Sequence, residues 1–183
     1  MSKKTDLLAV EKEILGCKTC LRLAKGKIVP GEGDPKSKIV FVGEAPGKEE
    51  IKTGKPFVGR AGKILRDLLD SVGLNAERVF ITSAVKYLPK SYITPKPADI
   101  IHGRKHLQKQ LEIIKPDIIV ILGNTAANSL LDRKLSISRD HGKIFLENEQ
   151  KYFLSYHPAA PLYSPKLREV VFNDFKKLQK LIF

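Results

Sequence analysis

The residues best suited to chemistry lie in two short segments far apart in the chain. In "GEAPGKEEIKTGKPFVGRAGKIL", Gly43–Leu65, an apolar run empties into a turn that carries a carboxylate, Glu44. Pro46 and Gly47 turn the chain there, and an aromatic ring returns at Phe57. In "YHPAA" an imidazole, His157, ends a second apolar run. An acid and an imidazole facing each other with an aromatic between them suit a flat heterocycle. The ring would stack on Phe57, His157 would donate a hydrogen bond to an oxygen that gains charge, and Glu44 would order a water. Taken singly, each residue has an ordinary structural reading: a cap, a core side chain, a turn residue. Their shared position at the ends of apolar runs is what raises the chemical reading. Phosphate-binding loops are excluded. "GEAPGKEE" lacks the Walker spacing, and neither "GEGD" nor "GRAG" supplies a dinucleotide fingerprint. Cys17 and Cys20, the two cysteines of the chain, form one C-x2-C, which reads as half a metal site, a redox pair or coincidence.

Four apolar runs must position these groups: "KIVFVG" (38–43), "RVFITSAV" (78–85), "DIIVILG" (117–123) and "YFLSYHP" (152–158). Their β-branched and aromatic content predicts strands, and their near-continuous hydrophobicity predicts strands covered on both faces. Helical spacing appears in residues 4–16, in "GRAGKILRDLLDSVGL", in the proline-bounded "PADIIHGRKHLQKQLEIIKP", in "TAANSLLDRKL" and in the closing "LREVVFNDFKKLQKLIF". "GKIVPGEGDPKS" reads as a loop. Strand and helix alternate, which predicts an α/β fold: a three-layer α/β/α sandwich around a central four-stranded parallel sheet, as one domain over 1–183. In such a sheet ligands sit beyond the carboxyl ends of the strands, and Glu44 and His157 both fall there.

The chain has 183 residues, with 33 Lys and Arg against 20 Asp and Glu, for a formal charge of +13. That excess favours a polyanion, and nucleic acid first. There is no apolar stretch near twenty residues and no signal-peptide pattern, so a cytoplasmic, DNA-associated protein without membrane contact is expected, as a monomer.

The two segments resemble the signature motifs of the family 4 uracil-DNA glycosylases, a thermostable bacterial and archaeal type. The likeness extends to "CKTC", "PGEGDPKSKIVFVGEAPG", "VFITSAVKYLPKSYITPKPADI" and "LEIIKPDIIVILGNTAA", in the same order over nearly the whole chain. The resemblance implies a prokaryotic base-excision repair enzyme with a pocket for a base flipped out of DNA. Glu44 would position the hydrolytic water, Phe57 would stack under the base, and the backbone of Gly43, Ala45 and Gly47 would contact base and water. His157 would stabilise O2 of the departing base. In the better-known branch a catalytic Asp stands where this chain has Ala45. Leu162 or Tyr163 would fill the gap left in the duplex, with Lys166 and Arg168 near phosphate. Lys52, Lys55, Arg60 and Lys63 around the first motif, and Arg139, His141 and Lys143 before the last strand, are further phosphate candidates.

Two departures from the family pattern stand out. The uracil-reading Asn is replaced by Ser83, which has one rotatable hydroxyl instead of an amide's fixed donor and acceptor. Losing a bidentate contact costs about 1–3 kcal/mol of discrimination. The family's iron–sulfur cluster takes four cysteines, but Tyr87 replaces the third and Gly103, or its neighbour His102, the fourth. The expectation is therefore no metal. Zinc held by Cys17, Cys20, His102 and His106 is the alternative, and free thiols or a disulfide with the histidines on a basic surface is the plain reading. The leading function is a monofunctional DNA glycosylase acting on uracil or another deaminated base. The alternative is a DNA-binding relative with weak or no catalysis.

Overall fold

The apolar runs become strands because each sends alternate side chains into two different hydrophobic layers. The protein is seen here as a computed structural model, which describes residues 2–90, 94–131 and 135–182. Among them the strands are β1 (Glu32–Gly33), β2 (Ile39–Gly43), β3 (Phe80–Ser83), β4 (Ile118–Leu122), β5 (Lys143–Glu147) and β6 (Gln150–Ser155). They form one six-stranded sheet in the order β1-β3-β2-β4-β6-β5. The helices are α1 (Lys3–Leu15), α2 (Lys18–Leu23), α3 (Glu50–Thr53), α4 (Arg60–Ser71), α5 (Pro97–Ile114), α6 (Asn124–Leu130), α7 (Ile137–Asp140), α8 (Ala160–Tyr163) and α9 (Leu167–Ile182).

On one face Phe41, Val120 and Phe153 pack against Leu65 and Leu69 of α4 and Phe175 and Leu178 of α9. On the other, Val40, Val42, Ile119, Ile121 and Leu154 pack against Leu7 of α1, Leu107 and Ile114 of α5 and Leu130 of α6. The three-layer α/β/α expectation therefore holds. The strand count differs. The four central strands, β3-β2-β4-β6, are parallel as expected, but an antiparallel strand is added at each edge. β1 escapes a pattern reading because it is two residues long and lies in the Gly/Pro-rich stretch. β5 escapes because Ile144 and Leu146 face solvent and its turn to β6 lacks a glycine. Asn148 and Glu149 take positive φ there instead, as a tight hairpin turn requires. Of the helix expected from "TAANSLLDRKL", residues 132–134 lie outside the described set.

The parallel register sets the carboxyl ends level: Gly43 lies opposite Ser83, and Leu122 opposite Ser155. β3 lies on one side of β2 and β4 on the other, so the strand order reverses around β2. That switch point is where the crossover connections diverge and leave a crevice.

The segment between α3 and α4 enters this crevice under constraint. Phe57 has φ 51°, a left-handed conformation rare for an aromatic residue. Its carbonyl accepts a hydrogen bond from Arg66 Nη1 at 2.8 Å and rests on Gly62, where a Cβ would come within 1.6 Å of the oxygen. Gly62→Ala must therefore push the Phe57 segment away from α4. A loss of about 1–3 kcal/mol is expected from such overpacking, read as a lower midpoint in urea unfolding. An unchanged midpoint would show that the loop is not held by this contact.

Candidate active site

Beyond the carboxyl ends of β2, β3 and β6 lies a cavity of 210 Å³, lined among others by Ala45, Gly47, Glu50, Phe57, Ser83 and His157. Drug-sized sites run to about 300–1,000 Å³, so this one suits a single small ring. The acidic turn and the imidazole turn thus meet across one opening.

His157 follows β6 and is half-buried. The backbone N–H of Ala159 donates to its Nδ1 at 3.1 Å. A neutral imidazole that accepts at Nδ1 must carry its proton on Nε2. Burial lowers the His157 pKa to about 4, with the Glu50 carboxylate acting weakly in the opposite direction. At neutral pH the ring is therefore an uncharged Nε2–H donor. Phe57 stacks on it, with ring centroids 5.6 Å apart and planes inclined by 25°. The aromatic ring thus packs directly on the imidazole. Gly43 permits this arrangement, because a Cβ there would lie 2.8 Å from Phe57 Cζ.

Ser83 is buried at the end of β3, and its hydroxyl donates to the Val85 carbonyl at 2.8 Å. With its proton so used, Ser83 offers the cavity an acceptor only. Behind it the fully buried Lys86 Nζ, whose pKa burial pulls down to about 7, donates to Thr82 Oγ1, the Ser83 carbonyl and Gln110 Oε1, each at 2.7 Å. Lys86 escapes a sequence reading because a lysine is ordinarily a surface residue; nothing local marks it as the support under Ser83.

The carboxylates divide differently from the sequence expectation. Glu44 is half-buried, and its carbonyl accepts from the Val85 N–H at 3.0 Å; its side chain is not part of the cavity lining. Glu50, which sequence reasoning passed over, is buried in that lining. Its Oε1 accepts from the Gly59 N–H at 2.8 Å, tying α3 to the loop that carries Phe57. The second oxygen lies beside Gly47, where a Cβ would approach it to 2.6 Å. The charged run "KEE" gives no signal in the sequence as to which glutamate turns inward.

The cationic candidates fall into two groups. Lys63, Leu162, Lys166 and Arg168 come together on an open groove of 830 Å³ between α4 and α8–α9, together with Asp67 and Glu169. This groove starts where the cavity ends: Ala61 and Ala159 line the cavity, while Lys63 and Pro161 line the groove. Lys55 and Arg60 are exposed nearby, and Lys52 pairs with Glu49 at 2.8 Å. In the second group internal partners are engaged. Arg139 and Lys143 flank the buried Asp140 at 3.0 and 3.1 Å, which holds its carboxyl well below the usual range. His141 Nδ1 lies 3.0 Å from Asp174.

Cys17, Cys20, His102 and His106 form a group that could hold a metal ion, with their donor atoms all within 4.8 Å of one another. Both cysteines are free thiols, and His106 is buried rather than on a basic surface. None of the four lines the cavity. No helix is long and apolar enough to cross a membrane, among the described residues.

Residues 30–179 match the model of the uracil DNA glycosylase superfamily. A type-4 uracil-DNA glycosylase of Archaeoglobus fulgidus is 44% identical, over 94% of this chain and 91% of its own length. Type-4 enzymes of Sulfurisphaera tokodaii and Thermotoga maritima are 41% and 40% identical, over 96% and 100% of this chain and 84% and 98% of theirs.

The lowered pKa of His157 has a consequence for stability. A histidine whose folded pKa lies below its unfolded value, about 6.5, contributes stability that is fully present above pH 6.5 and is lost as the pH falls towards about 4. Urea unfolding of the wild type and His157→Asn across this window should show a steeper loss for the wild type. Parallel profiles would mean that the imidazole is not held neutral.

Proposed function

The chain belongs to the uracil DNA glycosylase superfamily, and we propose that it removes uracil, or another deaminated base, from DNA as the first step of base excision repair. The target nucleotide is flipped from the duplex into the 210 Å³ cavity, and the N-glycosidic bond is hydrolysed. The bond's electron pair leaves with the base, water oxygen joins C1′, and the proton that water sheds passes to solvent or the departing base. The product is an abasic site. A lysine is not among the residues lining the cavity, which supports water as the nucleophile and no lyase step.

The observation that carries this reading is the hydrogen bond from the Ala159 N–H to His157 Nδ1, which assigns the ring proton to Nε2. An Nε2–H donor, uncharged and fixed by the Ala159 N–H, suits an oxygen that gains negative charge as the base departs. Phe57 supplies the stacking surface, and the backbone at Gly43, Ala45 and Gly47 borders base and water. Glu44, at the mouth of β2, orders the attacking water, and Glu50 holds the Phe57 loop closed over the ring. Ser83, an acceptor, takes an N–H of the base.

DNA is gripped by Lys63, Lys166 and Arg168 along the adjoining groove, with Lys52, Lys55 and Arg60 beside it. Leu162 and Tyr163, 38% and 83% exposed on α8, fill the stack that the flipped base vacates. Arg139, His141 and Lys143 play a lesser part because their side chains are engaged with Asp140 and Asp174. The protein acts as a monomer on cytoplasmic DNA, and no step runs through a metal.

Oligonucleotides carrying uracil, hypoxanthine or xanthine test this directly. Alkali-labile product is expected, with His157→Ala slowing its formation by about 10²–10³-fold, the usual loss for a donor to a developing oxyanion. Binding without excision of any of these bases would favour the silent DNA-binding relative. Glu44→Gln should lower the rate at unchanged stability, whereas Glu50→Gln should also lower the unfolding midpoint; the reverse pattern would exchange their roles. Ser83→Asn restores an amide donor and should raise uracil excision about tenfold, within the range for one bidentate contact. An unchanged rate would remove Ser83 from base reading.

A further inference from the structure

An iron–sulfur cubane, which the family resemblance implies, does not fit this chain. It needs four thiolates, each on its own iron, spread around a core several ångströms across. Here two thiols and two imidazoles crowd around one point. Cys17 Sγ and Cys20 Sγ each lie 3.3 Å from His102 Nε2, and Cys20 Sγ lies 3.7 Å from His106 Nε2. Tyr87 is fully buried among Val10, Ile14 and Cys20 and donates its hydroxyl hydrogen bond to Asp99, so the third cluster position is filled by a ring with its own partner.

We infer that Cys17, Cys20, His102 and His106 hold a single structural zinc ion in place of the cluster. Bonds of about 2.3 Å to sulfur and 2.0–2.1 Å to nitrogen around a tetrahedral zinc give sulfur–nitrogen edges of about 3.6 Å. The three observed edges bracket that value within a few tenths of an ångström. The secondary structure explains how the donors converge. Cys17 caps α2 and Cys20 lies in its first turn, while His102 and His106 stand one turn apart on α5. One helix thus supplies the two sulfur donors and the other the two imidazoles.

A second observation points to the same ligand. His106 Nδ1 is buried without a hydrogen-bond partner, and Glu13 Oε1 lies 3.7 Å away. A metal on Nε2 puts the ring proton on Nδ1, facing that carboxylate, which is the usual outer partner of a zinc-bound histidine. Glu13 is in turn held by Lys109 Nζ at 2.7 Å. Four protein donors fill a tetrahedron and leave no position for substrate, so the ion fastens α2 to α5 and takes no part in chemistry.

The test does not depend on glycosylase activity. Protein purified without chelators or affinity metals should carry one zinc and no iron per chain by elemental analysis. Replacement by cobalt(II) should give the visible absorption of a tetrahedral site with two thiolates. Cys17→Ser and His102→Gln should lose the metal. Glu13→Gln, on the surface and safe for folding, should still bind one zinc but about 10–100-fold more weakly. Stoichiometric iron with labile sulfide, a Cys17–Cys20 disulfide, or zinc content indifferent to these substitutions would overturn the inference.

Discussion

Phe57 is the contact on which the cavity depends. Its left-handed backbone costs roughly 1–3 kcal/mol, and burying its ring returns about the same amount. The balance is closed by neighbours that leave no alternative: Gly43 beneath the ring, Gly62 beneath the carbonyl, Arg66 on the carbonyl oxygen and Glu50 across the loop. The result is an aromatic platform fixed before any ligand arrives. Binding then spends little on ordering the site, which matters when energy is also needed to unstack a base.

Two scales of electrostatics operate without interfering. Over the whole surface a charge of +13 attracts polyanions and makes binding sensitive to salt. Inside the cavity the decisive group is neutral. Burial keeps His157 from taking up a second proton, whose charge would pull counter-ions or a phosphate into the pocket, while the bond from the Ala159 N–H to Nδ1 leaves the ring's own proton on Nε2. A hydrogen bond in a dry site acts on a developing anion far more strongly than the same bond in water. Long-range attraction thus comes from the surface charge, while the buried ring offers an uncharged donor.

The floor of the cavity is supported from behind. Ser83 ends β3, Lys86 fixes its carbonyl, and Tyr87 enters the small core shared by Val10, Ile14 and Cys20. The Cys2His2 group therefore adjoins the segment that presents Ser83, through four residues of chain. That segment is held in register with β2 by the parallel pairing that sets Gly43 opposite Ser83. The Cys2His2 group and the cavity are separate places in the fold, joined by one short stretch of chain.

The layers, and the sheet edge at which the candidate residues gather, were legible in the order of the amino acids alone. Unbroken apolar runs between amphipathic stretches can be buried only as parallel strands under helices, and that topology sends Glu44, Ser83 and His157 to one edge. It also put four potential ligands at helical and C-x2-C spacing. Packing settled what spacing cannot encode. β1 and β5 exist because neighbouring edges offered them hydrogen bonds, not because their residues alternate. Glu50 rather than Glu44 lines the cavity because Gly59, nine residues on, supplies an N–H to a carboxylate that would otherwise stay in water. The same holds for the donor set: Cys17 and Cys20 meet His102 and His106 only when α1, packed on α5, carries α2 beside it, since convergence of side chains distant in sequence is a property of packing.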